Sequence, residues 1–431
     1  MSESKYTPRL LIISNSCLSN NTSNGRTLRN FLLGWDPNKI AQFYIQNEEP
    51  DFTVCHNYYR VTDGQALKAF LKGAKAGGTV EASLEEKSVT VNSISAKKRS
   101  RNPLSMLLRE LVWITGRWKS NDFEKWLNDY SPEVVLLQAG DSPFMLKLAS
   151  DISKKLNIPL VIYNSEVYYF KKFDYFRSKG IPRLLYPVFH SYYKYIFKKT
   201  IRCAEGSVYN CEMIKEKYDE EFNLPSEVIY TATEAEYINQ KAKDDKFVVS
   251  YLGNLGVGRH EGLAEIGNAL QKISADYHLD VYGKIPNDAV KAAFENCKGI
   301  SYKGFISYEQ VLEVMSDSDL LVHVENFSDF YRKDLQYAFS TKIADSLAMG
   351  VGFLLYAPPE VACSKYLKDN EAAFVVSDKD ELFKTLKTLT ENPVDCRRYS
   401  KTACELAEKN HNFTNNANRF QEVLREVVSG G

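Results

Sequence analysis

The sequence predicts an α/β protein made of two doubly wound units. Three observations lead there. Short apolar runs of strand length alternate with amphipathic helical stretches in both halves of the chain. Their order, strand then helix then strand, is that of a parallel sheet. The 431 residues also exceed what one hydrophobic core holds, so at least two domains are expected.

The first unit opens with the buried-strand run LLII at 10–13. A polar loop, SNSCLSNNTSNG, leads into a helix in which Leu28, Phe31 and Leu32 recur at i, i+3 and i+4. The strand VVLL at 134–137, the helix FMLKLASDISKKL and the strand PLVIY at 159–163 complete a β-α-β succession. The second unit starts near Phe247 with FVVSYL and a glycine-rich turn, GNLGVGRHEG. There follow a helix over 263–273, the strands HLDVYG and ISYKGF, the helix YEQVLEVM and the strand DLLVHV. Then come the helix STKIADSLAMG, the strand GFLLYA and further helices. The polar stretch EYINQKAKDDK reads as an interdomain linker over 236–246, between domains at 1–235 and 247–405. The remainder, 406–431, is expected to form a terminal helix packing back across the domains. Ligands of such sheets bind outside the strands' carboxyl ends, so the cleft between two facing sheets is the default site.

Composition narrows the function. Hydrophobic residues at 44% and charged ones at 26% describe a globular chain and exclude a wholly disordered one. Lys+Arg 55 balance Asp+Glu 55, which argues against a general nucleic-acid binder, so an electrostatic partner must meet a local patch. The start, MSESKYTPRLLIISNS, has no cationic region leading into a long apolar run, and no stretch approaches the roughly 18–20 apolar residues of a membrane span. The 8 cysteines are scattered with no CxxC, and the 6 histidines form no HExxH or HxH. A reduced, cytoplasmic protein without a metal centre or cofactor is expected. The acidic strings Asp317-Ser318-Asp319 and Asp378-Lys379-Asp380 read as helix-end and loop residues.

Three constellations can carry chemistry. In 253–262, Gly253, Gly256 and Gly258 let backbone approach a ligand, the following helix start favours an anion, and Arg259 adds a bidentate cation. The third glycine of a dinucleotide fingerprint is missing, so phosphate binding is preferred over that motif, with a plain turn as the other reading. In 339–350, Ser340 or Thr341 caps a helix that Gly350 ends, and Lys342 and Asp345 share one face, suited to a phosphate and a ribose diol or to an ordinary ion pair. In 24–30, Gly25 and Arg26 sit where loop turns to helix, as an anion site or a simple cap.

The order SYLGNLGVGR, LDVYGK, ISYKGFISYEQVLEVMSDSDLLVHVE and FSTKIADSLAMG resembles the donor-binding half of GT-B fold glycosyltransferases. Among these it is most similar to the retaining, family-4-like group that builds bacterial surface glycans. The resemblance covers 247 to about 378. It extends more loosely to the first half through NGRTL, LLQAGDSPF, IPLVIYNSE and SVYNCEMIKEKY. It implies two facing Rossmann-like doubly wound domains with a cleft between them. It also implies transfer, with retention and without metal, from a nucleotide-sugar donor, UDP-linked in expectation, to a glycan or lipid-linked acceptor. Arg259 would neutralise the donor diphosphate, Lys342 would be the second phosphate cation, and Asp345 would grip the ribose. Phe305 and Ile306 would flank the base, and Gly25 and Arg26 would face the diphosphate. Gly253, Asn254, Gly283, Ser340 and Thr341 complete the implied donor set.

The chain departs from the family pattern at defined places. Tyr337 stands where the first of two family glutamates falls, and Glu261-Gly262 replaces a Lys-Gly pair. Asn254 replaces a basic residue, and the loop 326–339 is longer than usual. Asn164, Ser165 and Glu166 occupy a loop that often carries a catalytic His, which makes Glu166 the candidate for orienting acceptor or sugar. These departures keep two alternatives open, a non-catalytic glycosyltransferase-like partner subunit and a GT-B nucleotide-sugar epimerase.

A final feature is local. Within 168–202, nine cations (Lys171, Lys172, Arg177, Lys179, Arg183, Lys194, Lys198, Lys199 and Arg202) face one acid, Asp174, with twelve aromatic residues interleaved. Lys97, Lys98, Arg99 and Arg101 precede another apolar run. Peripheral contact with the inner face of a membrane is the expectation, and a snorkelling basic face over a large core is the alternative.

Overall fold

A computed structural model describes residues 6–19, 22–82, 101–235 and 247–430. The expected linker, 236–246, and Lys97, Lys98 and Arg99 lie outside the described residues. The chain divides into two compact units, Met1–Ile229 with Ala417–Gly431, and Tyr230–Asn416. The first therefore ends at Ile229, and 230–235 belong to the second.

The first unit is built on eight strands: β1 (Leu10–Ser14), β2 (Ile40–Tyr44), β3 (Asn57–Arg60), β4 (Gly78–Val80), β5 (Val134–Ala139), β6 (Leu160–Asn164), β7 (Gly206–Tyr209) and β8 (Ser226–Val228). Their order is β4-β3-β2-β1-β5-β6-β7-β8, with β4 alone antiparallel to its neighbour. Its helices are α1 (Ser23–Phe31), α2 (Asp63–Lys72), α3 (Pro103–Ile114), α4 (Asn121–Tyr130), α5 (Pro143–Leu156), α6 (Ile181–Leu184), α7 (Tyr186–Ile201) and α8 (Glu212–Asp219). Residues 10–14 and 134–139 are buried on both faces, as parallel strands between two helical layers must be.

The second sheet has six parallel strands: β9 (Val249–Leu252), β10 (Leu279–Tyr282), β11 (Ile300–Gly304), β12 (Leu320–Val324), β13 (Gly352–Tyr356) and β14 (Phe374–Val376). Their order is β11-β10-β9-β12-β13-β14. The helices of the unit are α9 (Arg259–Ile273), α10 (Asp288–Glu295), α11 (Tyr308–Asp317), α12 (Asp329–Asp334), α13 (Thr341–Ala348), α14 (Ala362–Asp369), α15 (Lys379–Glu391) and α16 (Ser400–Asn410). Two apolar clusters, one on each side of the sheet, make its core.

The last helix, α17 (Phe413–Ser429), returns the chain to the first unit. Phe420 stacks on Phe31 of α1 with ring centroids 5.0 Å apart, and Phe31 meets Tyr163 of β6 edge-on at 5.3 Å. Inside the second unit, the entering and leaving chain segments are tied together. Thr233 N–H donates to the His411 carbonyl at 2.9 Å, and Asn416 Nδ2 donates to the Tyr230 carbonyl at 2.8 Å.

Much of the basic aromatic segment faces inward, with Tyr169, Tyr186, Phe189, Tyr193 and Phe197 all buried. Lys171 is buried as well, 3.2 Å from Glu166 and over the rings of Tyr168 and Tyr175. An ammonium enclosed by a carboxylate and two π faces cannot serve as a lipid-facing charge.

Candidate functional site

In each sheet, strand order reverses once, between β1 and β5 and between β9 and β12. Such reversals send the flanking connections to opposite faces and open a crevice at the carboxyl edge. In the second unit the opening is visible in the pairing: β9 and β12 share only Leu320↔Val249 and Leu321↔Ser250 before they part. Helices α9, α11 and α13 each follow a parallel strand, so their N-termini converge on this same edge.

The turn from β9 into α9 is tightly built. Gly253 N–H donates to the Tyr282 carbonyl at 3.0 Å, Tyr251 OH to the Asn254 carbonyl at 2.8 Å, and Gly256 N–H to Asn254 Oδ1 at 2.8 Å. Asn254 thus acts as a turn-forming side chain. Gly258 ends the turn at φ 76°, and a Cβ there would collide with Asn326. Asn326 Nδ2 bonds the Gly258 carbonyl at 2.8 Å and Glu261 Oε2 at 2.9 Å. Gly283, at the end of β10, has no room for a Cβ because the Gly253 carbonyl lies against it.

Arg259 opens α9, and its guanidinium reaches the chain leaving β12. Its Nη2 lies 2.6 Å from Glu325 Oε1, and its Nε donates to the Val324 carbonyl at 3.1 Å. His323 Nε2 donates to the same Glu325 oxygen at 3.0 Å, and Glu325 Oε2 has no hydrogen-bond partner among the described residues. Burial alone would lift the Glu325 carboxyl, but the Arg259 charge and the His323 hydrogen bond overcome it and hold it down at about 2. Burial works against the Arg259 charge too, and Glu325 outweighs it, raising that group further. The result is a fixed, permanently ionised pair at a helix start.

The second cluster sits at the start of α13. Ser340 caps the helix, its Oγ accepting from Lys342 N–H at 3.3 Å, and Thr341 is the first helical residue. Lys342 Nζ is 3.5 Å from Asp345 Oδ2 and 5.3 Å from the centre of the Tyr308 ring. Asp345 Oδ1 accepts from Thr233 Oγ1 at 2.6 Å and from Tyr308 OH at 3.1 Å. Asp345 is therefore buried and engaged through both oxygens. Phe305, just after β11, is 77% exposed, whereas Ile306 packs on the core.

The remaining expected residues belong to the first unit. Gly25 lies in the first turn of α1, where its N–H donates to Thr22 Oγ1 at 3.2 Å; a Cβ would collide with the Cys17 and Ser19 carbonyls. Arg26 follows it, half-buried. Glu166 follows β6 and pairs with Lys171. Gly253, Asn254, Gly283 and Arg259 thus share one strand end, while Ser340, Thr341, Lys342 and Asp345 share one helix start.

Glu325, His323, Asn326, Thr233 and Tyr308 were not anticipated. The signal for the first three is present in the sequence: HVEN follows DLLV, placing polar groups at the exit of a buried strand. Thr233 gives no signal, since only the folded chain brings it to Asp345.

Residues 261–422 match a family model described as glycosyl transferase-like, a span that falls almost wholly in the second unit. The sequence itself matches no curated protein. Among solved structures, sucrose-phosphate synthase from Thermosynechococcus elongatus is similar over 99% of this chain and 100% of its own, with TM-score 0.63 and 13% identity. HepE from Anabaena, in complex with UDP and glucose, is similar over 97% and 99%, with TM-score 0.60 and 12% identity. MurG from Acinetobacter baumannii is similar over 97% and 99%, with TM-score 0.50 and 10% identity. The chain has the GT-B fold. Its two parallel-sheet α/β units are those of that fold, and the family match lies on the unit that carries Arg259 and Lys342.

Proposed function

We propose that the chain is a glycosyltransferase that moves a sugar from a nucleoside diphosphate to a glycan or lipid-linked acceptor, with retention and without a metal ion. The carrying observation is the second unit's crevice, where the glycine turn and Arg259, just ahead of the family-matched residues 261–422, meet the start of α13, which lies within them. UDP is the preferred nucleotide, a reading supported by the solved HepE complexes with UDP and with UDP-glucose.

The chemistry follows from charge. When the sugar–oxygen bond breaks, negative charge grows on the departing diphosphate. A group already in place where that charge appears stabilises the transition state more than the ground state. Arg259 is held by Glu325 and Val324, so its guanidinium needs no reorganisation. Lys342 is held loosely and can follow the phosphate. Helix N-termini add partial positive charge from backbone N–H groups. In this reading Phe305 and Ile306 flank the base, Asp345 fixes the wall beside the ribose, and Glu166 orients the acceptor or the sugar. These cations compensate the leaving group without a metal.

A second reading, a glycosyltransferase-like subunit that serves a catalytic partner, is favoured by the internal engagement of Asp345. One experiment separates the two. Thermal shifts are measured with UDP, GDP, ADP and CMP on the wild type and on Arg259→Met/Glu325→Leu, which removes both charges together. A ligand at 100 times its Kd should add ~2.7 kcal/mol of stability. A shift with one nucleoside diphosphate, lost in the double variant, supports the transferase; the absence of any shift favours the subunit.

A further inference from the structure

The first unit carries a second opening, at the edge of its sheet where the parallel strands begin. It is a groove of about 1110 Å³ between α4, β4 and the starts of β1, β2 and β3. Arg9 stands just ahead of β1, Asn38 lies two residues ahead of β2, and Asn57 is the first residue of β3. The reversal between β1 and β5 opens at the opposite, carboxyl edge. One wall of the groove is aromatic. Tyr59 of β3 and Trp126 of α4 lie with ring centroids 5.3 Å apart, and Trp126 continues onto Phe123 at 6.0 Å. Trp35, Trp113 and Trp118 are buried, so of the four tryptophans Trp126 alone keeps part of its surface open. Across from it Gly78 opens β4, and no atom lies within 4 Å of where its side chain would start, so the mouth is wide.

The groove is polar without a net field. Lys75 pairs with Asp122, and Lys125 Nζ lies 2.5 Å from Asp129 Oδ2. Arg9 Nε donates to the Ser131 carbonyl at 2.7 Å and has Glu133 at 3.8 Å. Each cation of the lining has its acid, so no charge of one sign is left to hold a phosphate or an ammonium. What remains are the planar amide and carboxylate groups of Asn38, Asn57 and Asp129. Asn57 spends its Nδ2 on a long bond, 3.4 Å, to the Ile40 carbonyl. An aromatic plate bordered by such groups matches a pyranose ring, which has an apolar C–H face and a rim of hydroxyls that both donate and accept. Other occupants fit less well. A nucleotide would stack but brings phosphate, which needs uncompensated cations. A strand added to the sheet edge would find only the three residues of β4 to pair with. A compact apolar ligand takes a pocket of roughly 300–1,000 Å³ lined mostly by apolar side chains, and here rings alternate with charges.

We propose that this groove is a second carbohydrate site, which holds a neutral oligosaccharide against Trp126 and Tyr59 with Asn38, Asn57 and Asp129 on its hydroxyls. That a glycan is at hand rests on the transferase reading, whereas the chemistry of the groove does not. Its use is retention: a glycan held here stays close to the protein between transfers, at an effective concentration that its free form lacks. Binding grows with chain length, because one sugar unit covers only part of the groove.

The test is tryptophan fluorescence of the full-length protein titrated with maltoheptaose, cellohexaose and mannohexaose, and with glucose and mannose alone. At least one oligosaccharide should quench or shift the emission, with its monosaccharide at least roughly tenfold weaker for want of contacts. Trp126→Phe should remove the spectral change. Asn38→Ala/Asp129→Ala keeps the reporter and lies at exposed positions, and an unchanged melting temperature confirms its fold. It should weaken oligosaccharide binding on the order of tenfold, through lost hydrogen bonds, and leave UDP affinity unchanged. A protein that binds none of the three oligosaccharides, or binds the monosaccharides as tightly, would overturn the proposal. So would a spectral change that survives Trp126→Phe, undiminished binding in the Asn38/Asp129 variant, or tighter binding of the acidic chain hexagalacturonate. UDP titration reports the transferase reading separately: no UDP binding with oligosaccharide binding retained would strike that reading and leave the groove.

Discussion

Two ion pairs stand at the carboxyl edge of the second sheet, and they are built differently. Arg259 and Glu325 meet at 2.6 Å with side chains only 11% and 4% exposed. Lys342 and Asp345 lie 3.5 Å apart, with the lysine 25% exposed. The first pair is a rigid fork inside the fold, and the charge at its end cannot leave. The second couples an anchored carboxylate to a movable ammonium. The difference teaches that charges so alike in sequence can divide the work, one shaping the crevice and the other free to respond to what enters it.

Removing one partner of each pair should separate those roles. Glu325→Ala leaves the Arg259 charge buried without its carboxylate and should cost about 3–5 kcal/mol of stability, measured by denaturant unfolding. The combined Arg259→Met/Glu325→Leu change should recover most of that loss. If Glu325→Ala were neutral, the pair would not be the rigid element described.

Acid should act on a different part of the same unit. His411 is fully buried, with Nδ1 donating to the Thr231 carbonyl at 2.8 Å and Nε2 accepting from Tyr366 OH at 3.0 Å. The Nε2 bond needs the neutral ring, whereas the Nδ1–H bond survives protonation; burial outweighs it and pushes the His411 pKa down from 6.5 to about 4. A depressed folded-state pKa means that this stabilisation is complete above pH 6.5 and drains away as pH falls toward 4. Over that window the loss should be on the order of 3 kcal/mol, and His411→Gln should flatten it. The Glu325 contribution drains later, as pH falls through about 2.

Lys342→Ala should show the opposite balance. The pair is loose and partly exposed, so stability should change by no more than about 1 kcal/mol. Turnover from the nucleotide sugar should fall on the order of 10²-fold, the usual effect of removing one donor to the developing charge. Equal losses in stability and turnover would make Lys342 a structural residue only.

Much of this was legible in the sequence. The strands LLII, VVLL, FVVSYL, DLLVHV and GFLLYA are continuous apolar runs because both of their faces are covered, and each became a central strand of its sheet. The short strands Gly78–Val80, Ser226–Val228 and Phe374–Val376 at three sheet edges carry too few residues to show a period. The division of the units after Ile229 has no glycine or long polar run to mark it, and Tyr230, Thr231 and Thr233 are held by residues far along the chain. Their partners, His411 and Asn416, lie some 180 residues on. The glycine turn and Arg259 were readable from spacing; HVEN marks Glu325 as a strand-exit carboxylate, but its pairing with Arg259 becomes legible only once β9 and β12 are known to part beside it. In the basic aromatic segment, composition counts charges and rings but not which way they face, and Tyr169, Tyr186, Phe189, Tyr193 and Phe197 turn inward while Tyr195 turns out.

The most direct test of the crevice is calorimetric titration of UDP into the wild type and into Arg259→Met/Glu325→Leu, with melting temperatures compared in parallel. We expect binding to the wild type and at least roughly tenfold weaker binding to the double variant, as loss of one charge-assisted contact implies, with folding retained. Equal affinity in the two proteins would contradict a role for Arg259 in holding the diphosphate.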